Sequence, residues 1–184
     1  MSYQWSYGDI LEAVEKITPE DQPALIHGDR VTNWGDFVRR TNNLARNLLA
    51  SGVQPGEKIA FYMRNCPEYS EGIAASFKAG LTHVNVNYRY IEHELIYLID
   101  NSDATVVVYH SEFQHYVDEI ENQLPGVKHW LVVDNGKASS YEDMANNGDG
   151  SSPGIKHSAE DLLFLYTGGT TGMPKGVMWR HGDL

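Results

Sequence analysis

Between residues 58 and 133 the chain changes period repeatedly, and this alternation restricts the folds open to it. Residues 58–63, 82–86, 104–109 and 127–133 are short apolar runs; the third is almost pure valine. Between them lie stretches whose apolar positions recur every three or four residues. Tyr69, Ile73, Ala74 and Phe77 share one face, as do Leu95, Leu98 and Ile99. The spacing predicts helices opening at Asn65 or Pro67, over 91–99, and over 112–124 with Asp118, Glu119 and Glu121 on a solvated face. Strands alternating with helices of ordinary length demand βαβ units. The expected fold is therefore α/β, with a mainly parallel sheet covered by helices on both faces.

The chain ahead of this region is simpler. Residues 10–17 have helical spacing and are stopped by Thr18-Pro19. Residues 23–27 and 30–32 read as strands joined at Gly28-Asp29, a small hairpin. Trp34, Phe37, Val38, Leu44, Ala45, Leu48 and Leu49 then define a long helix, capped by Thr32 or Asn33 and closed by Gly52. Cys66 reads as a small buried residue at a helix entrance. Beyond residue 133 the composition shifts to Asn, Gly, Ser and Asp. Residues 134–157 are expected to be a surface loop with one helical turn at 141–145. The expected division is 1–133 as the α/β unit, 134–157 as the loop, and 158–184 as a closing strand–phosphate-loop–strand segment that opens a next, truncated part.

That closing segment carries the chemistry. An apolar run over residues 162–166 empties into Thr167-Gly168-Gly169-Thr170-Thr171-Gly172. Pro174-Lys175-Gly176 and a second apolar run, 177–179, follow. Glycines let backbone N–H groups approach an anion, threonine hydroxyls add donors, and Lys175 brings a positive charge on a long stem. The spacing is not that of a P-loop, which runs G-x-x-x-x-G-K-[ST] into a helix. A hairpin-like phosphate cradle between two strands is expected. The plainer alternative is a Gly/Thr hairpin that only turns the chain.

Composition excludes several classes. The 184 residues carry 14 Lys and Arg against 25 Asp and Glu, a net charge of −11. Nucleic acid and anionic membrane are poor partners for that balance. A single cysteine permits no internal disulfide and no Cys-rich metal site. No apolar stretch is long enough to span a membrane, and no signal peptide opens the sequence. The expected location is cytoplasmic.

The run T-G-G-T-T-G-M-P-K-G-V resembles the signature loop of the AMP-forming acyl-CoA synthetases, within the adenylate-forming superfamily. The family more often has serine where Gly168 stands, so one hydroxyl is lost and the backbone donors remain. The resemblance continues through P-A-L-I-H-G-D-R-V-T-N-W-G-D-F, L-L-A-S-G-V-Q-P-G-E-K-I-A and M-R-N-C-P-E-Y-S-E-G-I-A-A-S-F-K-A-G, and so covers essentially the whole chain. It implies a fatty-acid–CoA type ligase: ATP and coenzyme A as co-substrates, and an acyl-adenylate intermediate. The acid would be of fatty or steroid-side-chain type.

The resemblance also assigns residues. Lys175 is the catalytic candidate. Thr167, Gly168, Gly169, Thr170, Thr171, Gly172 and Lys175 would hold the β- and γ-phosphates. His181 matches a position often histidine in the family and reads as structural. Asn85, Asn87, Tyr88, Arg89 and Tyr90 could touch ligand. Equally, Arg89 could pair with a carboxylate while the tyrosines cover the sheet edge. Family members are several-fold longer. The Mg²⁺ glutamate, the ribose-binding acid, the acyl pocket and a second lysine are all expected past Leu184, and no metal ligand is assigned within this chain. The chain thus reads as an N-terminal subdomain, inactive alone, or as a non-catalytic nucleotide-binding or scaffold fragment. An uncovered apolar face at residues 162–184 would then favour self-association.

Overall fold

The computed structural model describes residues 5–167 and 173–184. A first helix, α1 (Tyr7–Glu15), is opened by a capping box in which Ser6 and Asp9 bond each other's backbone N–H. Strands β1 (Pro23–His27) and β2 (Arg30–Asn33) form the expected hairpin, with His27 opposite Arg30. Asn33, one of the two cap candidates, accepts the Asp36 N–H at 2.8 Å and starts α2 (Trp34–Ala50). That helix ends where Gly52 adopts a φ of 96°.

Strands β3 (Lys58–Tyr62), β4 (Thr82–Val86), β5 (Ala104–His110) and β6 (His129–Val133) alternate with α3 (Pro67–Lys78), α4 (Glu92–Asn101) and α5 (Gln114–Ile120). After α6 (Ser140–Asn146) come β7 (Leu162–Thr167) and β8 (Lys175–Arg180). The six-stranded sheet has the order β6-β5-β3-β4-β7-β8, parallel throughout except for the antiparallel pair β7–β8. Successive residues of each strand point to opposite faces. Ile59 and Phe61 face one layer with Leu44, Leu48, Ala75 and Tyr141, under α2, α3 and α6. Ala60 and Tyr62 face the other with Leu95, Leu98, Val117 and Ile120, under α4 and α5. The sheet is thus covered on both faces, as the alternation of periods requires.

Two segments differ from the sequence reading. The helix expected over 112–124 is broken. Ser111–Phe113 and Glu121–Gln123 are 3₁₀ turns flanking α5, because Phe113 leaves the helical region to pack its ring 4.5 Å from that of Tyr62. The stretch over 134–157 is not simply a surface loop. Helix α6 is longer than the expected single turn and is docked, with Tyr141 and Ala145 fully buried. Three amides of α2 bind α6 and the turn after it back: Asn47 Nδ2 donates to Met144 O at 2.8 Å, Asn43 Nδ2 to Ala145 O at 3.2 Å, and Asn42 Nδ2 to Gly150 O at 2.7 Å. These bonds satisfy backbone carbonyls that water would otherwise have to reach. Among the described residues no helix is long and apolar enough to cross a membrane.

Candidate functional site

The hairpin β7–β8 brings the two ends of the Gly/Thr loop together. Its register runs Leu162↔Arg180, Leu163↔Trp179, Phe164↔Met178, Leu165↔Val177, Tyr166↔Gly176 and Thr167↔Lys175. Both strands are longer than their apolar runs suggested, and Lys175 is the first residue of β8 and not part of a loop. Thr167 and Lys175 face each other across the hairpin mouth, and Lys175 is exposed. The expected ligands Gly168, Gly169, Thr170, Thr171 and Gly172 lie outside the described residues, as does most of the loop.

Strand pairing fixes where this mouth sits. β7 runs parallel to β4 with Leu165 beside Asn85, so Thr167 lies past the carboxyl end of β4. Ligands of open α/β sheets bind outside the carboxyl ends of the strands. Opposed residues of a pair share a face. Thr167 and Lys175 therefore lie on the face of Leu165 and Asn85, and Tyr166 and Gly176 on the other.

Next to the mouth is a cleft of about 360 Å³ lined by Met63, Asn65, Tyr69, Asn85, Tyr88 and Tyr166, among others. Tyr69 donates its hydroxyl to Asn85 Oδ1 at 2.9 Å, and burial pushes its pKa up to about 12, so it stays a neutral donor. Neither Tyr69 nor Tyr166 was picked out by sequence reasoning. Tyr69 falls in a helical apolar pattern and Tyr166 in an apolar run, and only the strand order brings them together.

The polar turn after β4 has mixed roles. Asn87 Oδ1 accepts the Arg89 N–H at 3.0 Å, and Tyr62 donates its hydroxyl to Tyr90 O at 2.7 Å. Among the described residues no carboxylate pairs with Arg89. Its guanidinium lies 5.7 Å from the Tyr88 ring centre instead, and Arg64 lies 4.6 Å from the same ring. Arg64 is committed to Glu112, with Nε to Oε1 at 2.8 Å and Nη2 to Oε2 at 3.2 Å.

His181, expected to be structural, packs against α1 and α3. It is buried, its Nδ1 accepts the Tyr7 N–H at 3.3 Å, and its ring lies tilted against that of Tyr7 and edge-on to that of Phe77. Burial lowers its pKa, so it is neutral at pH 7. Cys66 is half-buried at the N-cap position of α3 and makes no side-chain cap bond. Burial pushes its thiol up to about 12, which leaves no thiolate at neutral pH for nucleophilic work.

A larger cavity, of about 610 Å³, opens elsewhere, between the end of α1 and the start of α2. Glu15, Glu20, Asp21, Asp36 and Asp149 line it, so it repels a triphosphate. Among the described residues no group of three or more His, Cys, Asp or Glu side chains could hold a metal ion.

The sequence profile of the family described as AMP-binding enzyme matches residues 11–184. The chain is 36% identical to the medium/long-chain-fatty-acid–CoA/3-oxocholest-4-en-26-oate–CoA ligase of Mycobacterium marinum, over 100% of this chain and 36% of that protein. It is 38% identical to the 3-oxocholest-4-en-26-oate–CoA ligase of Rhodococcus rhodochrous, over 96% of this chain and 33% of the relative. The chain therefore spans about a third of the length of these curated relatives. Two solved structures share the fold. The anthranilate CoA ligase AuaEII in complex with anthranoyl-AMP superposes with a TM-score of 0.89 at 24% identity, over 100% of this chain and 36% of that one. The N-terminal domain of FACL13 from Mycobacterium tuberculosis gives a TM-score of 0.84 at 24% identity, over 97% of this chain and 45% of that one.

Proposed function

The chain belongs to the AMP-binding enzyme family, and from that premise we propose that it is the N-terminal part of an ATP-dependent, AMP-forming acid–CoA ligase working in the cytoplasm. The observation that carries the reading is the hairpin mouth. Thr167 and Lys175 oppose each other past the carboxyl end of β4, at the two ends of the Gly/Thr loop. In the first step a carboxylate oxygen bonds to the α-phosphorus of ATP while the bond to the β-bridging oxygen breaks and pyrophosphate leaves. In the second, the coenzyme A thiolate bonds to the acyl carbon and AMP leaves.

Lys175, the Thr167, Thr170 and Thr171 hydroxyls, and the backbone of Gly168, Gly169 and Gly172 hold the β- and γ-phosphates, where negative charge builds as pyrophosphate departs. The substrate carboxylate is already ionised at neutral pH, so no general base is required. A fatty acid, or the carboxylated side chain of a steroid, is the proposed substrate, by likeness to the named relatives. Residues 158–184 carry the Gly/Thr loop between β7 and β8, the two strands that complete the six-stranded sheet.

Calorimetric titration of the chain with ATP tests the site. Lys175→Ala weakens binding about tenfold, as loss of a charged hydrogen-bond donor does, and the difference narrows as salt is added. An unchanged affinity, or one equally reduced at all salt concentrations, contradicts the assignment.

The same segment supports self-association. Among the described residues β8 is the sheet's outer strand, paired only with β7. Val177, Met178 and Trp179 on it are 41%, 67% and 40% exposed. Such an apolar edge invites a second copy of the chain. Light scattering of the chain against Trp179→Lys checks this: a dimer that the substitution dissolves is expected, and a monomer at high concentration rules it out.

A further inference from the structure

Gly176 lies in the P-K-G run, where a glycine is easily credited with giving a loop its freedom. The structure gives it another reason. Gly176 is a strand residue without a positive φ, directly opposite Tyr166. A Cβ at this position would stand 2.9 Å from Tyr166 Cζ, 3.1 Å from Cε2 and 3.2 Å from Oη. Real Cβ atoms essentially never come within 3.0 Å of another heavy atom, so the phenol ring occupies the space a side chain would need. The ring cannot easily swing away. Its hydroxyl donates to Asn101 Oδ1 at 3.0 Å, at the carboxyl end of α4, and the ring packs on the core beneath α4 and α5.

The consequence falls on the neighbouring residue. Lys175 precedes Gly176 and projects to the opposite face, so the path of its backbone depends on how closely β8 lies against Tyr166. We propose that Tyr166, seated across Gly176 and tied to Asn101, is a positioning residue that sets where Lys175 stands at the mouth of the phosphate loop. The inference rests on the phosphate reading above and deepens it. Tyr166 touches no reacting atom in this role. It holds β8 flat so that the Lys175 ammonium meets the phosphates without a search. A displacement of about 1 Å at such a site costs up to about a hundredfold.

The test is a set of variants of the full chain titrated with ATP and with inorganic triphosphate. Melting temperature and amide hydrogen exchange over residues 173–180 are followed in parallel. Gly176→Ala is expected to weaken both ligands about tenfold. The same change made when Tyr166→Leu is already present should have almost no further effect, because the ring it displaces is gone. Tyr166→Phe and Asn101→Ala should each weaken binding about threefold and together no more than either alone. A merely structural contact would lower the melting temperature and leave the affinities alone.

Wild-type affinity in all these variants, with β8 exchange accelerated, overturns the positioning role and leaves the phosphate reading standing. Additive losses in the two pairs also overturn it. Failure of the unsubstituted chain to bind either ligand overturns the phosphate reading, and this inference with it.

Discussion

Arg40 and Glu71 meet through two parallel hydrogen bonds, Nε to Oε1 at 2.9 Å and Nη2 to Oε2 at 2.8 Å, both buried between α2 and α3. Glu142 of α6 closes on the same guanidinium, Nη2 to Oε1 at 2.7 Å and Nη1 to Oε2 at 2.8 Å. Tyr141 adds its hydroxyl to Glu71 Oε2 at 3.2 Å. Burial alone would lower the Arg40 pKa, but the bonds to Glu142 and Glu71 outweigh it and the charge is held. For Glu71 burial wins over the pull of Arg40 and its pKa rises. Removing one partner therefore strands a charge in the interior. Arg40→Met should cost about 3–5 kcal/mol in urea unfolding. Arg40→Met combined with Glu71→Leu should cost clearly less than the single change. A double-variant loss equal to the sum of the losses for Arg40→Met and Glu71→Leu would show that the pair is not coupled.

His83 sets an acid limit on the fold. It is buried between Phe61 and Phe77, with its Nε2 3.4 Å from the Tyr69 hydroxyl. Burial lowers its pKa to about 4. Below pH about 6.5 the unfolded chain binds a proton that the folded chain refuses, so stability falls with pH down to about 4 and then levels. His110 and His181 are lowered in the same direction, also by burial. The loss due to His83 by pH 5 is about 2 kcal/mol. Urea midpoints measured from pH 7 to pH 4 should show this slope, and His83→Phe should flatten it.

Gly72 lies mid-helix in α3, where propensity alone favours alanine by about 1 kcal/mol. The Phe61 ring fills the space instead: an added Cβ would lie 3.0 Å from Cζ and closer still to Cε1. Phe61 is fully buried and cannot retreat. Gly72→Ala should therefore destabilise the chain by about 1–3 kcal/mol through overpacking. Combining it with Phe61→Leu should recover part of the loss. A rise in melting temperature for Gly72→Ala would show that propensity prevails.

Tyr141 anchors α6. Its hydroxyl donates to Glu68 O at 3.0 Å and its ring lies among Leu44, Leu48 and Phe61 in the core. Tyr141→Ala should cost about 3–5 kcal/mol, and Tyr141→Phe, which spares the packing, about 1–2 kcal/mol. Hydrogen exchange should report the loss first in residues 140–150. Equal effects of the two substitutions would mean that the hydroxyl bond outweighs the ring.

Much of the fold is written locally. The alternation of periods, the Asn33 cap, Pro67 at the first turn of α3 and the hairpin over Pro23–Asn33 are short-range features, and periodicity or turn chemistry exposes them. The docking of α6 is not of that kind. Its signals are Tyr141 in a polar stretch and Asn42, Asn43 and Asn47 on a helix face that looks merely hydrophilic. The same holds at the candidate site. Lys175 and Thr167 stand in a motif, whereas Tyr69, Tyr166 and Asn101 matter only once β7 is known to lie beside β4. Strand order depends on which buried edges complement each other, and nothing in a single strand reports that.

The placing of β7 beside β4 also has a cost in time. Asn85 and Leu165 are neighbours in the sheet, yet nearly half the chain separates them. On the ribosome β3, β4, β5 and β6 are complete well before β7 is made. At about 5–20 residues per second that interval lasts on the order of several seconds. Throughout it, the flank of β4 holding the buried His83 and Val84 is a bare row of N–H and C=O groups. The nascent chain is thus most open to miscoupling with a neighbour between the emergence of β4 and that of β7, and a chaperone would be most useful there.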